Sequence, residues 1–511
     1  MAERKFTYDS VDEAASARVA SWLAAALDGP CLIFLHGDLG VGKTAFARGL
    51  IRARCGQATQ VPSPSFALVQ PYEASVPIWH ADLYRLASPQ EIDELGLLEA
   101  VTDHICLIEW PQNGDGALPE ADMHVTLDMA AHGRLISIEA GADILAALGK
   151  TAARDAALTD FLSNTDWRAA DRMPLAGDAS TRRYERLVSA TDNKTGKEAG
   201  RDSSAVLMDW QAMPDGPPVY DGKPYSQIAH LAEAMPRFAD MVNWLRDVGM
   251  AAPQLYACDR DKGFAVLEDF GDRHLAAPET GIEPIDRAVF YYEAVENLLY
   301  LHRHSPPDFL AVYDGAVQAV EAALFTDWFL PWRGIEIDHA AKQNWHDIWQ
   351  QLGDILMSAD KVTVLRDYHS VNLIWRDAAQ GRHRIGLIDV QDALQGHAAY
   401  DVASLVCDAR INVSAGNREH MLAHYMDKRF GDDAAARRAF TDAFAIACVQ
   451  RNLKIAGIFI RLAERDGKPA YLAHLPRIIG YLKSHLMAPV LQPVAAWLAQ
   501  YAPRALELDD G

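Results

Sequence analysis

The chain has 511 residues, of which 50% are apolar and 23% are charged, and its formal net charge is −22. This length exceeds one ordinary domain, so we expect two or three globular domains, each with its own core. Both halves are acidic, which argues against direct binding to nucleic acid or to an anionic membrane, because such contacts need a surplus of Lys and Arg.

The six cysteines are scattered and form no C-x-x-C pair, so we expect neither a disulfide framework nor a zinc site. The N-terminal stretch MAERKFTYDSVDEAASA carries charges where a signal peptide needs an apolar core. The chain also has no run of 18 apolar residues. These features predict a cytoplasmic protein without a membrane segment.

The first 140 residues alternate short apolar runs with helical segments, which is typical of an α/β domain with a mainly parallel sheet. The apolar runs are CLIFLH, FALVQ, VPIWHAD and HICLIEW. SPQE at residues 88–91 is a capping box and predicts a helix start. MHVTLDM and RLISIEA predict a closing hairpin, and residues 144–160 predict a linking or helical passage.

The segment HGDLGVGKT, residues 36–44, admits two interpretations. HGDL is like the catalytic loop of a phosphotransferase, but that loop needs an Asn five residues after Asp38, where this chain has Lys43. GDLGVGKT satisfies the P-loop pattern, and an apolar strand before it and a helix after it support that interpretation. The predicted nucleotide-binding residues are Gly37, Asp38, Leu39, Gly40, Val41, Gly42, Lys43 and Thr44.

The roles of the P-loop residues follow from charge. Lys43 should reach the β- and γ-phosphates of ATP, and Thr44 should ligate Mg²⁺. Two apolar runs end in an acid, Asp82 and Glu109, and these carboxylates are candidates for holding the metal and the attacking water. The alternative is that each acid only caps the helix that follows it.

This region resembles the TsaE family, the ATPase subunit of the bacterial machinery that makes threonylcarbamoyladenosine in tRNA. The resemblance covers about residues 5–140 and is carried by GDLGVGKTAFARG, SPSFALVQPY, HADLYRL, ELGL and LIEWP. It implies that SPSF senses the nucleotide, that Asp82 and Glu109 serve the metal and water, and that Trp110 lies beside the nucleotide. It also implies partner proteins similar to TsaB and TsaD. The chain departs from the family at Ser65, commonly Thr, and at Gln112, commonly an acid.

From about residue 160, strand-like pieces near 181–189, 204–209 and 264–269 surround the helical stretch SQIAHLAEAMPRFADMVNWLRDVG. Beyond residue 290 the chain is mostly helical. A small mixed lobe followed by a large helical lobe is typical of kinase-like phosphotransferases. We therefore predict an α/β P-loop NTPase domain over residues 1–145, a linker over 146–160, and a two-lobed α+β protein-kinase-like domain over 161–511.

Catalytic-loop chemistry is indicated by LRDYHSVNLIW. Asp367 and Asn372 have the D-x-x-x-x-N spacing that places a base beside the acceptor hydroxyl and an amide oxygen on Mg²⁺. The apolar run IGLID ends in Asp389, which is predicted to be the second metal ligand.

Weaker patterns complete the second nucleotide site. AGDASTRRY has small residues where a hairpin must approach phosphates closely, although Gly-Asp turns are common elsewhere. LEDFGD contributes Glu268 at a hinge whose backbone could bind adenine, and Asp401 is predicted to support the catalytic loop as a helix cap. The loop residues concerned are Gly177, Asp178, Ala179, Ser180 and Thr181.

Residues 165–485 resemble the aminoglycoside-phosphotransferase-like superfamily, and within it the anomeric N-acetylmuramate/N-acetylglucosamine kinases (AmgK). The motifs are GDASTRRYERL, LEDFGD, RDYHSVNLIW and GLIDVQDALQGHAAYDVASL, with the helical segment that starts at QRNLKIAG. His369 follows the catalytic Asp instead of preceding it, and DVQ replaces the usual D-F-G. The strand SAVLMDW lacks the usual phosphate-binding Lys, which Arg182, Arg183 or Lys223 could replace.

Together these features predict a bifunctional enzyme that uses ATP and Mg²⁺: an ATPase for tRNA modification joined to an amino-sugar 1-kinase. His369 and three helical cations are candidates for substrate binding, with solvated surface charges as the alternative interpretation of the cations. The cations are Arg451, Lys454 and Arg461. Other open functions are a nucleotide switch with an inert kinase-like scaffold, or a kinase for an antibiotic or a small alcohol.

Overall fold

The computed structural model describes residues 5–56, 58–65, 67–86, 88–114, 116–175, 182–189, 203–275 and 284–507. The chain divides into two compact units, Met1–Arg168 and Ala169–Gly511. Separate apolar clusters lie inside each of them.

The first unit contains seven strands and four helices within its described residues. The strands are β1 (Lys5–Ser10), β2 (Cys31–His36), β3 (Val69–Tyr72), β4 (Ile78–Asp82), β5 (Ile105–Glu109), β6 (Met123–Met129) and β7 (Arg134–Ala140). The helices are α1 (Glu13–Ala26), α2 (Lys43–Cys55), α3 (Leu97–Ala100) and α4 (Ala142–Ser163).

These strands form one sheet in the order β1-β7-β6-β2-β5-β4-β3. The centre is parallel, because β2 pairs in parallel with β5 and β6, and β5 pairs in parallel with β4. Both faces of β2 are covered: Ile33 and Leu35 join one apolar cluster and Leu32 joins the other. This double burial explains the continuous apolar run CLIFLH and confirms the predicted α/β class.

Three local predictions for the first unit can be compared with the structure. Strands β6 and β7 form the expected antiparallel hairpin. A helix begins at Pro89, as the capping box predicts, but it is a 3₁₀ segment, Pro89–Leu95, and within the described residues Ser88 makes no capping hydrogen bond. Residues 146–160, for which the sequence suggests a linker, are helical and lie inside α4.

The small lobe of the second unit has the strands β8 (Asp171–Pro174), β9 (Arg183–Val188), β10 (Ser204–Asp209), β11 (Pro218–Tyr220), β12 (Lys223–Pro224), β13 (Leu255–Asp259) and β14 (Phe264–Glu268). The helices of this lobe are α5 (Tyr225–Ile228) and α6 (Met235–Asp247). Five of the strands form an antiparallel sheet in the order β13-β14-β10-β9-β8, and β11 and β12 form a separate two-stranded sheet.

The predicted helical stretch 226–249 is broken in the structure. Only α5 and α6 are helical, and Pro236 lies in the first turn of α6. Proline fits a first helical turn, where its missing N–H is not needed, but it cannot continue a helix that is already formed. The single helix expected from this stretch was therefore wrong.

The large lobe is mainly helical, and short strands flank the segment that contains Asp367 and Asn372. Its helices are α7 (Pro284–Leu301), α8 (Gly315–Leu324), α9 (Leu330–Trp332), α10 (His339–Met357), α11 (Ala399–Val406), α12 (Ala415–Phe430), α13 (Ala434–Glu464), α14 (Leu475–His485) and α15 (Gln492–Tyr501). Its strands are β15 (Val362–Val364), β16 (Leu373–Trp375), β17 (Ile385–Leu387) and β18 (Leu394–Gly396).

Helix α13 is the central helix of this lobe. By length and composition it could cross a membrane, but 94% of its most apolar window is buried inside the protein. Its polar residues Gln450 and Asn452 are buried as well. The burial of both apolar and polar residues places α13 at the centre of the helical core.

Candidate active sites

The P-loop connects β2 to α2, and its backbone conformation requires glycine. Gly37, Gly40 and Gly42 all have positive φ angles, of 132°, 79° and 110°. A Cβ on Gly37 would lie 2.3 Å from the carbonyl oxygen of Leu127. The loop ends at the N-terminus of α2, which begins at Lys43, so backbone N–H groups and the helix dipole are placed to receive phosphate.

The Lys43 side chain is buried and folds back onto its own loop. Its Nζ donates to the carbonyls of Gly37 at 2.8 Å and Asp38 at 3.0 Å, and it lies 3.7 Å from the centre of the Trp110 ring. Burial lowers the pKa of Lys43, while Glu109, Asp82 and Asp38 oppose that shift. A phosphate would replace the two carbonyls as the partner of this ammonium group.

Asp82 and Glu109 are neighbours in register at the carboxyl ends of β4 and β5. Asp82 accepts a hydrogen bond from the Ser65 hydroxyl at 2.6 Å and one from the Tyr84 amide at 3.0 Å. The capping alternative thus also applies to Asp82. Glu109 pairs with His80, which is fully buried, at 2.9 Å. His80 lies in the same HAD run as Asp82, but no pattern in the sequence singled it out.

The donor set at this edge of the sheet fits magnesium. Thr44 offers a hydroxyl at the start of α2, and Asp82 and Glu109 offer carboxylates. Hard oxygen donors of this kind are what Mg²⁺ prefers. Two apolar residues of the P-loop have opposite surroundings. The Leu39 side chain is 71% exposed, whereas the Val41 side chain is buried in the core.

The catalytic loop of the second unit lies between β15 and β16 and is held by two buried carboxylates. Asp401, in the first turn of α11, accepts the backbone N–H groups of Leu365 at 2.7 Å and Arg366 at 2.9 Å. Asp408 accepts the Ser370 N–H at 2.8 Å. Asp401 therefore supports the loop as expected, but from within α11 and not as its N-cap, which is Ala398.

Asp367 sits in a positive field. Its Oδ1 lies 3.7 Å from Nη1 of Arg451 and 3.8 Å from Nε2 of His369. Burial alone would raise the pKa of Asp367, but Arg451, His369 and Lys454 lower it to about 2. Burial and Arg451 lower the pKa of His369 to about 4. At neutral pH the site therefore holds an ionised Asp367 beside a neutral imidazole.

Asn372 and Asp389 lie together beside Asp367. The Asn372 amide nitrogen donates to the Asp367 carbonyl at 3.1 Å, so its Oδ1 is the atom available to a cation. The N–H of Ile388 donates to the Asn372 carbonyl, which joins the end of β17 to the loop. Burial raises the pKa of Asp389, with Asp367 acting in the same direction and Arg182 opposing it. An amide and a carboxylate oxygen in this arrangement fit Mg²⁺.

Arg182 reaches this cluster from the small lobe. Its Nη1 donates to Oδ1 of Asp389 at 2.6 Å and to Oε1 of Gln391 at 3.0 Å, and its guanidinium lies 4.9 Å from the centre of the Trp210 ring. By contrast, Arg183 and Lys223 are exposed. Of the three cations considered from the sequence, Arg182 is the one that the fold brings to a predicted metal ligand.

The three helical cations of α13 differ in their surroundings. Arg451 and Lys454 are buried and Arg461 is half-buried, so they are not solvated surface charges. Arg451 donates to the Arg366 carbonyl at 2.9 Å, beside Asp367. Lys454 donates a hydrogen bond to Glu321 at 2.7 Å, and Arg366 forms a second ion pair with the same carboxylate. Lys454 therefore belongs to a buried ion cluster.

The predicted adenine hinge is partly engaged in other contacts. The Glu268 carboxylate binds Arg376 at 2.7 Å, and its backbone N–H donates to the Gln254 carbonyl at 2.8 Å. The phosphate-loop residues predicted for this site lie outside the described residues. They are Gly177, Asp178, Ala179, Ser180 and Thr181.

The folds and the two sites define the class of protein: a P-loop nucleotide-binding domain followed by a kinase-like phosphotransferase domain. Residues 10–136 match the family described as "Threonylcarbamoyl adenosine biosynthesis protein TsaE", and residues 171–440 match "Phosphotransferase enzyme family". The chain therefore belongs to the TsaE family in its first unit and to the phosphotransferase enzyme family in its second. It is an enzyme that joins an ATPase to a phosphotransferase.

Two relatives illustrate the two families. The N-acetylmuramate/N-acetylglucosamine kinase of Caulobacter vibrioides is 34% identical over 369 residues, which cover 68% of this chain and 97% of that protein. The tRNA threonylcarbamoyladenosine biosynthesis protein TsaE of Haemophilus influenzae is 44% identical over 109 residues, which cover 21% of this chain and 68% of that protein. The two matches concern different parts of the chain.

Proposed function

We propose that the second unit, over residues 161–511, transfers the γ-phosphoryl group of ATP to the anomeric hydroxyl of N-acetylmuramate or N-acetylglucosamine. The observation that carries this proposal is the ionised Asp367 next to Asn372 and Asp389, in a chain that spans nearly the whole length of the Caulobacter sugar kinase. The product is the sugar 1-phosphate, a form suited to cell-wall recycling.

The low pKa of Asp367 favours an acidic acceptor. A carboxylate with a pKa of about 2 is a weak base, so it mainly orients the hydroxyl and takes its proton late in the transfer. The anomeric hydroxyl of an aldose is more acidic than an ordinary alcohol, and this suits a weak base. Mg²⁺, when held by Asn372 and Asp389, supplies positive charge to the transferring phosphoryl group.

Arg182 is proposed as the cation that replaces the missing lysine of β10. It already lies at the metal ligand Asp389, and its side chain is largely buried, which strengthens its interaction with an anion. When phosphates and metal enter, the guanidinium exchanges its bond to Asp389 for phosphate oxygens. A guanidinium can bind such oxygens in a bidentate manner.

Arg461 is proposed as the partner of the lactyl carboxylate that distinguishes N-acetylmuramate from N-acetylglucosamine. Among the described residues its Nε–H is buried without a hydrogen-bond acceptor. Lys454, by contrast, is neutralised by Glu321. His369 remains a proposed contact for the sugar, because it lies beside Asp367 and its Nδ1 is likewise unsatisfied within the described part of the chain.

The test of the sugar-kinase proposal is a direct assay. The full chain is incubated with Mg-ATP and either amino sugar, with aminoglycosides and with choline, and phosphorus NMR identifies the position of the new phosphate. We expect a phosphate on C1 of the amino sugars. A phosphate on C6, or turnover with only the aminoglycosides or choline, would contradict the proposal.

For the first unit, over residues 1–145, we propose ATP hydrolysis that supports formation of threonylcarbamoyladenosine in tRNA. The TsaE family membership and the geometry of Lys43, Thr44, Asp82 and Glu109 support this proposal. The net charge of −22 argues that tRNA is reached through partner proteins similar to TsaB and TsaD, in the cytoplasm. The test is reconstitution: ATP turnover should rise when those partners and tRNA are added.

A further inference from the structure

Two cysteines and a histidine that are far apart in the sequence meet inside the large lobe. Cys407 directly follows α11, Cys448 lies in α13 and His485 is the last residue of α14. The two sulfur atoms are 3.0 Å apart, and the Cys407 sulfur is 3.8 Å from Nε2 of His485. Among the described residues, these three ligand atoms all lie within 4.8 Å of one another.

The surroundings of this Cys/His cluster suit a bound cation. Both cysteines are fully buried, and His485 is half-buried. The Phe444 ring packs edge-on against the imidazole, with the ring centres 5.5 Å apart, which fixes its orientation. The amide nitrogen of Asn452 lies 3.6 Å from the Cys448 sulfur, the kind of outer contact that orients a thiolate ligand.

The ligand types identify the class of cation. Two thiolates and one imidazole are soft to borderline donors, the set that Zn²⁺ prefers over Mg²⁺ or Ca²⁺. Bonds of about 2.3 Å to sulfur and about 2.0 Å to nitrogen in a tetrahedral site would separate the two sulfurs by roughly 3.7 Å. The sulfurs therefore need to move apart by less than 1 Å, as estimated from that tetrahedral geometry.

We propose that Cys407, Cys448 and His485 bind one Zn²⁺ ion, with water as the fourth ligand. Binding releases the thiol protons, and no electron transfer is involved. The ion would join the ends of α11 and α14 to the middle of α13. These connections lead to the catalytic loop, because Asp408, next to Cys407, holds the Ser370 amide, and Arg451, one turn from Cys448, contacts Asp367. The bound ion would brace that loop.

The experiment uses the full chain, purified under reducing conditions without added metal. Elemental analysis should find about one zinc per chain, and Co²⁺ exchanged into the protein should give the absorption band of thiolate-to-cobalt charge transfer. Cys448→Ser and His485→Gln should each lose the zinc and the band. Cys258→Ser, an exposed thiol, and Cys106→Ser, a buried one outside the cluster, should keep both.

Folding is checked by circular dichroism of each variant. His485→Gln protects the test against a folding failure, because its side chain is half-buried and its replacement leaves both thiols in place. Zinc that persists at one per chain in Cys448→Ser and His485→Gln would overturn the proposal. So would a wild-type chain that binds neither zinc nor cobalt, or a peptide map showing a Cys407–Cys448 disulfide in place of the metal.

Discussion

The two phosphate sites of this chain are built in opposite ways. In the first unit a single segment, residues 37–44, supplies the loop, the helix N-terminus and the cation. In the second unit, Arg182, the loop of Asp367 and Asn372, Asp389 and Arg451 come from separate parts of the chain. The ion pairs Arg182–Asp389 and Arg451–Asp367 join them. A phosphate site made of backbone N–H groups can therefore be built from one short segment. A site made of charged side chains needs residues that only the packing of the core brings together.

The largest effect should come from removing the carboxylate at the centre of the distributed site. Asp367→Asn should lower kcat for sugar phosphorylation by about 10²–10⁴-fold, because the acceptor hydroxyl loses the carboxylate that orients it and takes its proton. The KM for ATP should change little. Steady-state kinetics with both sugars measure this, and the exposed Asp360→Asn serves as control. Loss of ATP hydrolysis by the first unit in Asp367→Asn would show that the two sites are not independent.

A complementary change tests the local site. Lys43→Ala should reduce ATP hydrolysis by the first unit about 10²–10³-fold, the range expected when one preorganised hydrogen-bond donor to a developing negative charge is removed. Sugar phosphorylation should be unaffected. Turnover is measured with the partner proteins present, and Lys150→Ala, on the surface of α4, is the control. Parental ATP turnover in Lys43→Ala would exclude the P-loop as the hydrolytic site.

The buried ion cluster of Glu321, Arg366 and Lys454 should contribute to the stability of the second unit. Glu321→Gln should lower the free energy of unfolding of the second unit by about 3–5 kcal/mol, because Arg366 and Lys454 lose their buried partner. Denaturant unfolding followed by fluorescence measures this loss, with the exposed Glu336→Gln as control. A variant as stable as the parent would show that the cluster does not support the lobe.

The same carboxylate predicts a dependence on pH. Although burial raises the pKa of Glu321, Lys454 and Arg366 lower it from 4.5 to about 2. Because the folded-state pKa is the lower one, this stabilisation is fully present above the unfolded-state value of 4.5 and is lost as the pH falls toward 2. In Glu321→Gln this part of the acid sensitivity should disappear. An unchanged acid profile would contradict the assignment.

A smaller effect should identify the cation of the second nucleotide site. Arg182→Ala should raise the KM for ATP about tenfold to a hundredfold, the range expected for a lost hydrogen bond to a charged group. Arg182→Lys should recover part of this loss. Arg183→Ala, the exposed neighbour, is the matched control. An effect from Arg183→Ala and none from Arg182→Ala would reverse the assignment.

The smallest effect should separate the two sugars. Arg461→Ala should raise the KM for N-acetylmuramate about tenfold, since one charge-assisted contact to the lactyl carboxylate is lost. The KM for N-acetylglucosamine should stay unchanged. Both sugars are assayed in parallel, with the exposed Arg465→Ala, at the C-cap of α13, as control. Equal changes for both sugars would assign Arg461 a structural role.

The sequence by itself determined the parts whose residues are contiguous or regularly spaced. Two short segments, the P-loop and the run from Asp367 to Asn372, predicted the two phosphate sites. The alternation of apolar runs in the first 140 residues predicted the α/β class of the first domain. The hairpin of β6 and β7 was also predicted, because its period-two pattern is local. The helix expected across Pro236 was wrong, because proline fits the first turn of a new helix and cannot continue one that is already formed.

Only the tertiary structure decided which distant side chains meet. No local spacing links Arg182 to Asp389 across 207 residues, Lys454 to Glu321 across 133, or Cys448 to Cys407 across 41. Burial also changes the role of Lys454. From the sequence it is a candidate for binding substrate or a solvated surface charge, but in the structure it is the buried counter-ion of Glu321. The physical reason is that burial removes water from a charge, so its partner is set by the packing of the core, which a sequence pattern does not record.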